Sequence, residues 1–344
     1  MPAVTSGKVL VTGANGFVAA WVVDALLRGG YSVRATVRSE SKSTHLRKVF
    51  ASFGDKLEFA IVNDITKEGA FDNAVQGVDA IEHIASPCHL GGEDPQEYIA
   101  PAVNGTVRLL ESARTFGSSV KRIVFTSSCG TVAEHGHTTP RVFSEADWNR
   151  SSLVEVQEKG HDASPLAKYR ASKVMGERAA WDFFEKNKGG LSWDLVVLNP
   201  PLVYGPILHE VNSPDGLNAS MDMWYRIVFK DMYDQKKLST EGNECVDVRD
   251  LATAHVLAIQ KQDAAGNRII VSQGSIKWQD YVDAARKCGV KTSARDESYD
   301  PSNIKPVLVT YDSSKAIRLL GMKYRSTKQS VFDIIEDFKA RGWI

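Results

Sequence analysis

The sequence predicts an α/β fold, in which a doubly wound parallel sheet is followed by a smaller mixed α/β C-terminal lobe. From Lys8 to about Leu198, short β-branched apolar runs alternate with amphipathic stretches, which is typical of βαβ units. The chain has 344 residues, more than a single compact core usually holds, so two lobes are expected. After Asn199 a dense group of loop-forming residues marks the change of lobe: Pro200, Pro201, Gly205, Pro206, Pro214 and Gly216.

Each element of the predicted sheet follows from its own stretch of sequence. The strand candidates are KVLVT from Lys8, YSVRATV from Tyr31, LEFAIV from Leu57, AIEHIA from Ala80, RIVFTS from Arg122 and DLVVLN from Asp194. Helical patterns long enough to connect parallel strands lie between them, at Gly16 to Arg28, Thr44 to Phe53, Gln96 to Thr115 and Leu166 to Asn187. Later elements are helices near Met221 to Lys230, Leu251 to Gln260, Trp278 to Cys288 and Lys328 to Lys339, and a short strand around Val246.

Composition excludes several classes of partner. Lys and Arg total 42 and Asp and Glu total 42, so no overall field attracts nucleic acid or an anionic membrane. Four cysteines without a CxxC pair predict free thiols in a reducing compartment. The N-terminus enters a strand pattern without a targeting segment, and no apolar run is long enough to span a bilayer, so a cytoplasmic protein is expected. His135 and His137 lack a third ligand, so no metal is predicted.

A glycine-containing turn follows the first strand, in TGANGFVA from Thr12 to Ala19. A strand that leads through such a turn into a helix N-terminus brings unpaired N–H groups and the helix dipole toward an anion. The order and position predict a Rossmann-type pyrophosphate site, although an ordinary tight turn is the alternative. The candidate contacts are Gly13, Asn15, Gly16, Phe17 and Val18.

The end of the second strand predicts which dinucleotide binds. NAD-specific proteins of this architecture place an acid there for the ribose 2′-OH, whereas this chain has none. Arg38 and Lys42 can instead flank a 2′-phosphate, which predicts NADPH or NADP+ as the cofactor. The alternative is that Arg38 and Lys42 belong to a solvated surface loop and bind no phosphate. Asp64, after the third strand, is a candidate for the adenine amine, but an Asx turn explains it nearly as well.

Three residues indicate proton transfer. Tyr169 and Lys173 stand four apart in a helical stretch, so they share one face, and a positive charge beside a phenol favours its ionised form. Ser128 ends the fifth strand, where the ends of parallel strands face the ligand crevice. A tyrosine and a lysine four residues apart often occur by chance on exposed helices. Combined with the glycine turn, this spacing predicts that Ser128, Tyr169 and Lys173 are catalytic.

The segments TGANGFVA, TSS and YRASK, in this order, resemble the extended short-chain dehydrogenase/reductase family, over nearly the whole chain. HIASP from His83, PAVNGT from Pro101, NPPLVYGP from Asn199 and VDVRDLA from Val246 extend the resemblance to fungal NADPH-dependent methylglyoxal and aldehyde reductases and to dihydroflavonol 4-reductases. Cys245 is a departure, because these reductases tend to have an aromatic residue there.

The resemblance implies a role for several residues. Ser128 and Tyr169 are implied to act on the carbonyl, and Lys173 to bind the ribose. Further cofactor contacts are implied at Ile65, Ala85, Ser86, Pro200 and Val203. Separately from the resemblance, the position of aromatic residues in the irregular segment around and after the prolines predicts an apolar substrate wall. The candidates are Cys88, Tyr204, Ser220 and Trp224, although aromatic residues of this kind more often belong to a core.

The predicted function is reduction of an aldehyde or ketone by hydride transfer from NADPH. One alternative is a nucleotide-sugar epimerase or dehydratase with tightly held NAD, which the missing acid disfavours; another is a non-catalytic NADP(H)-sensing regulator. The expected partner is a small-molecule carbonyl compound, and the protein is expected to be a monomer or homodimer. Residues 1–199 and 245–273 are predicted to bind the cofactor, and residues 200–244 and 274–344 to form the substrate lobe.

Overall fold

A computed structural model describes residues 3–86, 92–134, 136–301 and 307–344. The strands within these ranges are β1 Lys8–Val11, β2 Ser32–Val37, β3 Leu57–Ile61, β4 Ala80–His83, β5 Arg122–Thr126, β6 Arg141–Phe143, β7 Asp194–Asn199, β8 Leu202–Tyr204, β9 Gly242–Asp247, β10 Arg268–Ile270, β11 Gly274–Lys277 and β12 Val309–Tyr311. The helices are α1 Phe17–Arg28, α2 Thr44–Val49, α3 Gln96–Phe116, α4 Ser151–Lys159, α5 Pro165–Asn187, α6 Ala219–Phe229, α7 Gln235–Thr240, α8 Val248–Gln260, α9 Trp278–Lys287 and α10 Thr327–Ala340.

In the described part of the chain, seven strands form one parallel sheet in the order β10-β7-β5-β4-β1-β2-β3. The predicted Rossmann-type doubly wound sheet is therefore confirmed, and all six predicted strands belong to it. The order reverses at β1, which pairs with β2 on one side and β4 on the other. Ligands of open parallel sheets bind at such a reversal, beyond the carboxyl ends of the strands.

Helices cover both faces of the sheet. On β1, Val9 and Val11 pack into the core that holds α1 and α8, whereas Leu10 packs into the core on the opposite face. Helices α3 and α5 pack against each other on that second face. Burial on both sides explains why the strands are continuous apolar runs instead of alternating patterns.

A second lobe follows the sheet. Strands β8 and β9 pair in parallel, β11 pairs antiparallel with β9, and β12 pairs in parallel with β6. An aromatic core holds α6, α9 and α10 together, with Trp224, Tyr281 and Phe338 all buried. The predicted smaller mixed lobe is thus present, while its division at residues 200, 245 and 274 stays a prediction. None of the described helices is both long and apolar enough to cross a membrane.

The sequence was wrong about some element boundaries. Helix α2 ends at Val49 instead of continuing to Phe53, and a tighter 3₁₀ segment follows it. Helix α8 begins at Val248 instead of near Leu251, and its N-cap is Asp247, whose carboxylate accepts the Arg249 N–H. Asp250 is paired with Arg325. Several strands were not predicted, β10 among them, because three-residue runs carry too little periodicity to be recognised.

Candidate active site

The glycine turn lies at the reversal of strand order. Gly13 has φ +65°, and a side-chain carbon on it would lie 3.1 Å from the Ala85 Cα, so neither its conformation nor its surroundings tolerate a larger residue. The Gly13 N–H donates to Thr36 Oγ1 at 3.1 Å, which fixes the turn to β2. Gly16 is the N-cap of α1 and supplies no side-chain cap. The N–H groups of the first turn of α1 are therefore available to an anionic ligand.

The Thr12 hydroxyl joins this turn to the end of β4. Thr12 Oγ1 accepts the N–H groups of Ile84 and Ala85 at 3.0 and 2.9 Å and lies 3.0 Å from His83 Nδ1. Because the oxygen already accepts two hydrogen bonds, its own proton must go to His83 Nδ1. This arrangement requires a neutral His83 imidazole that carries its proton on Nε2.

Burial, with a smaller contribution from the positive charge of Lys173, lowers the pKa of His83 to about 3. An unfolded histidine titrates near pH ~6.5, so between these values the unfolded chain binds the extra proton. We expect His83 to make the free energy of unfolding fall as the pH drops below ~6.5, by up to about 1.4 kcal/mol per pH unit, and to contribute no pH dependence above it. Urea unfolding at several pH values measures this slope.

The control is the same series on His83→Gln, whose slope should be shallower because His83 no longer contributes. Part of the slope should remain, because the buried His209, with its pKa lowered to about 4, still contributes. Imidazole nitrogen NMR should show a neutral His83 with the Nε2 proton at pH ~5. A His83 that titrates near pH ~6.5 in the folded protein contradicts the assignment.

The predicted 2′-phosphate residues lie just past β2. Arg38 and Lys42 are both exposed, and neither makes an ion pair with any residue that the structure describes. The neighbouring Glu40 is engaged by Arg47 at 2.9 Å. Two cations without acidic partners at this edge are chemically suited to a phosphate. Asp64 does form the Asx turn that its sequence allows, because its Oδ1 accepts the Thr66 N–H at 2.9 Å and the Thr66 hydroxyl at 2.7 Å.

Helix α5 positions the tyrosine and the lysine. It begins after Ser164, whose hydroxyl accepts the Ala167 N–H at 3.2 Å, with Pro165 in the first position. The Lys173 ammonium lies 5.9 Å from the centre of the Tyr169 ring. It also donates to Ser86 Oγ at 3.0 Å, which ties α5 to the segment after β4.

Ser128 lies directly beyond β5. Its Oγ accepts the Gly130 N–H at 3.0 Å, so the hydroxyl proton remains available to another acceptor. Ser128 and Tyr169 line the same cleft, of about 510 Å³. Lys173, Ser86, Ala85 and Ile65 meet in a narrow crevice beside α5. The structure therefore brings Ser128 and Tyr169 into one cleft and groups Lys173 with three of the predicted cofactor residues in a crevice.

A buried carboxylate supports this arrangement. Glu177, one turn after Lys173 on α5, accepts hydrogen bonds at Oε2 from Ser127 Oγ at 2.5 Å, Thr131 Oγ1 at 2.7 Å and Asn199 Nδ2 at 2.9 Å. Its Oε1 pairs with Arg268 at 2.5 Å. The sequence analysis missed this cluster, although a third polar residue at four-residue spacing after Tyr169 and Lys173 was a signal for it.

The other residues around the cleft come from distant parts of the chain. Its lining includes Cys129, Gly130, Leu166, Arg170, Pro201, Leu202, Thr240, Glu241, Gly242, Asn243, Glu244, Lys277, Val307, Leu308, Val309 and Tyr311. Cys129 is not a nucleophile candidate, since burial keeps its pKa well above the usual value and its thiol points to the Asn199 carbonyl. In the described chain, no cluster of His, Cys, Asp and Glu has the composition of a metal site.

The structure does not bring the proposed substrate wall to this cleft. Trp224 and Tyr204 are 0% and 3% exposed in the aromatic core of the second lobe. Ser220 donates to the Val203 carbonyl at 2.6 Å and is not among the residues that line the cleft. The physical reason is that large aromatic side chains at helical spacing are buried against neighbouring helices. Cys88 lies outside the described residues.

A glycine turn at the strand-order reversal, with a serine at a strand end and a Tyr-Lys pair one helical turn apart, defines an extended short-chain dehydrogenase/reductase. The chain matches the model of the NAD dependent epimerase/dehydratase family over residues 9–272 and belongs to this family.

Curated relatives and solved structures are similar along the whole chain. A ketoreductase of Aspergillus niger is 34% identical over 334 residues, covering 95% of this chain and 96% of the relative. An NADPH-dependent methylglyoxal reductase of Saccharomyces cerevisiae is 31% identical, with the same coverage. The crystal structure of yeast methylglyoxal/isovaleraldehyde reductase complexed with NADPH superposes with a TM-score of 0.86 at 30% identity, over 98% of this chain and 100% of that chain.

Proposed function

We propose that this protein is an NADPH-dependent carbonyl reductase that converts aldehydes or ketones to alcohols, with Tyr169 as the proton donor. One observation carries the proposal: Ser128 and Tyr169 line one cleft, and Lys173 stands one helical turn from Tyr169 and donates to Ser86. The similarity to proteins named as ketoreductase and NADPH-dependent methylglyoxal reductase supports it.

The cofactor fits the residues present. The turn at Gly13, which has room for no side chain, and the uncapped N-terminus of α1 suit a pyrophosphate, and the unpaired Arg38 and Lys42 suit a 2′-phosphate. Lys173 with Ser86 suits the ribose. The full set proposed to hold the cofactor is Gly13, Asn15, Gly16, Phe17, Val18, Arg38, Lys42, Asp64, Ile65, Ala85, Ser86, Tyr169, Lys173, Pro200 and Val203.

The chemistry divides between cofactor and protein. Bound NADPH supplies the hydride. The Ser128 hydroxyl donates a hydrogen bond to the substrate oxygen, while the Gly130 N–H fixes its orientation. As negative charge develops on that oxygen, the Tyr169 phenol transfers its proton to it, and the nearby Lys173 ammonium stabilises the phenolate that remains. Water or a further proton relay restores the phenol after the alcohol leaves.

The proposal is tested by following NADPH oxidation by the purified protein with a panel of aldehydes, ketones, diketones and flavanonols, and repeating the panel with NADH. Turnover that strongly favours NADPH is the expected result. Tight binding of NADPH with no turnover of any carbonyl contradicts it, and so does purification with bound NAD together with activity on a sugar nucleotide.

Arg38→Asp should move cofactor preference from NADPH toward NADH. The substitution removes a guanidinium that pairs with the 2′-phosphate and adds a carboxylate that repels it and accepts from a ribose 2′-OH. We expect the ratio of kcat/KM for NADPH over NADH to fall by about 100-fold or more. Arg47→Asp, at a neighbouring exposed arginine that already pairs with Glu40, is the control. An unchanged ratio in Arg38→Asp means that the phosphate binds elsewhere.

We further propose a cytoplasmic location, a monomer or homodimer, and a division into a cofactor domain of residues 1–199 and 245–273 and a substrate lobe of the remaining residues. Free Cys129, Cys245 and Cys288 support a reducing compartment.

A further inference from the structure

Arg170 follows the proposed proton donor on α5 and lines the cleft with Ser128 and Tyr169. A side-chain carbon built on Gly130 would lie 3.2 Å from Ser128 Oγ and 3.3 Å from Arg170 Cγ, so the serine and the arginine flank the same point. The absence of a side chain at Gly130 leaves the space between them open. A carbonyl group bound at Ser128 would therefore lie near the Arg170 side chain.

The Arg170 guanidinium makes no ion pair with an acidic residue of the described chain. It makes no hydrogen bond or ion pair with any residue in the described ranges, and the residues outside those ranges include no aspartate or glutamate. Tyr311, Tyr169 and Glu155 attract it at longer range. The Glu155 carboxylate is engaged elsewhere, since it accepts the Ser164 N–H at 2.9 Å and lies 3.8 Å from the Lys159 ammonium.

Partial burial makes this lone charge unfavourable. Desolvation lowers the pKa of Arg170 to about 10, the opposite direction from Arg249, whose pKa is raised by Asp247 and Asp333. A partly buried arginine has five N–H donors, and here none of them has an acceptor among the described residues. Such a guanidinium is suited to a bound oxyanion that accepts two parallel hydrogen bonds. Two carboxylates line the cleft, Glu241 and Glu244, and neither is among the groups that attract Arg170. Glu244 accepts from Ser272, and burial raises its own pKa.

One part of the cleft lining near Arg170 is apolar, whereas another part is polar and includes Thr240, Glu241, Asn243, Glu244 and Lys277. Leu166 and Leu308 line the apolar part with exposures of 48% and 44%, and Pro201, Leu202 and Val309 continue the same surface. A ligand that fits this lining has an apolar chain, a carbonyl group for Ser128 and Tyr169, and a negative group for Arg170.

Resting on the proposed reductase function, we infer that Arg170 selects oxo acids, that is, carbonyl substrates with a carboxylate near the reacting group and an apolar tail. The carboxylate replaces water on the guanidinium and orients the carbonyl toward Ser128 and Tyr169. Neutral carbonyl compounds remain substrates, but without this interaction.

The test compares matched substrates that differ only in charge. With NADPH as the cofactor, α-oxo and γ-oxo acids that carry a phenylalkyl tail are compared with their methyl esters by the value of kcat/KM. For the wild-type protein, we expect kcat/KM for at least one acid to exceed that for its ester by about 10-fold or more. Arg170→Met should lower kcat/KM for that acid by about 10- to 100-fold and should change kcat/KM for the ester by less than about 3-fold. Arg170→Lys should keep part of the preference, because it retains charge but loses the planar fork.

The charge-matched control is Lys186→Met, at an exposed position near the far end of α5, which should leave both substrates unchanged. A second measurement needs no variant: 4-phenylbutanoate, which cannot be reduced, should inhibit reduction of a neutral aldehyde competitively and more strongly than its amide. Equal inhibition by acid and amide, or an equal effect of Arg170→Met on acid and ester, overturns the inference. If neither the esters nor neutral aldehydes are reduced, the reductase function itself has failed.

Discussion

Tyr169→Phe should reduce kcat by about 100- to 10,000-fold while leaving the Kd for NADPH nearly unchanged. The substitution removes only the phenolic hydroxyl, so the ring keeps its packing on α5 and the Lys173 ammonium keeps its contact with Ser86. Without the hydroxyl, the developing alkoxide has Ser128 as a hydrogen-bond donor but has lost its proton donor. Because proton transfer accompanies hydride transfer, the chemical step slows whereas binding does not.

Steady-state rates with a neutral aldehyde and fluorescence titration with NADPH separate the two effects. The control is Tyr225→Phe, which removes a hydroxyl from the core of the second lobe, where it donates to the Trp343 carbonyl at 3.4 Å. Its kcat should stay close to wild type. If Tyr169→Phe instead abolished NADPH binding, the tyrosine would be a structural residue, and the proposed mechanism would be wrong.

Glu177→Ala should lower the free energy of unfolding by about 3–5 kcal/mol, because it leaves Arg268 buried and unpaired. The Glu177 and Arg268 side chains are 0% and 9% exposed, so water does not replace the lost contacts. Three donors that face Oε2, from Ser127, Thr131 and Asn199, also lose their acceptor. Asn199 also donates to the Ser128 carbonyl at 3.3 Å, so the serine proposed to bind the substrate carbonyl should be less well positioned and kcat should fall.

Urea unfolding and aldehyde turnover test this expectation together. Glu177→Gln is the conservative variant: its amide keeps the shape and one acceptor, so its loss of stability should be smaller. A double-mutant cycle with Arg268→Ala should give a strong coupling energy, since removing both charges leaves neither unpaired. A loss of stability below about 1 kcal/mol in Glu177→Ala would show that the network is solvated and does not position Ser128.

The sheet and the glycine turn were predictable because their signals are local. Apolar strand runs, the order of strand, turn and helix around Gly13, and four-residue spacing on α5 each lie within one short segment of sequence. The absence of an acidic residue after β2, which predicts NADPH instead of NADH, is likewise evident within a few residues of sequence. These signals indicated the doubly wound fold, which the structure confirms, and the Ser128, Tyr169 and Lys173 set, two members of which the structure places in one cleft.

The cleft itself was not predictable, because its walls come from segments separated by more than sixty residues. Leu166 and Arg170 come from α5, Gly242 and Glu244 from β9, and Val309 and Tyr311 from β12. Tyr204 and Trp224 looked like substrate contacts because they follow the proline-rich segment, yet α9 and α10 cover them. Only packing decides whether an aromatic side chain faces a cavity or a core.

By itself, then, the sequence determined the class of fold, the phosphate turn and the candidate proton-transfer residues, since hydrogen-bonding pattern and helical periodicity act over a few residues. The tertiary structure alone decided that Glu177 holds the serine loop and that Arg170 faces the cleft without a partner. Both outcomes depend on which distant side chains approach within hydrogen-bond distance. Arg268 lies 2.5 Å from Glu177, whereas no carboxylate of the described chain lies within this distance of Arg170. Long-range contacts of this kind are set by how elements pack, which no local pattern in the chain records.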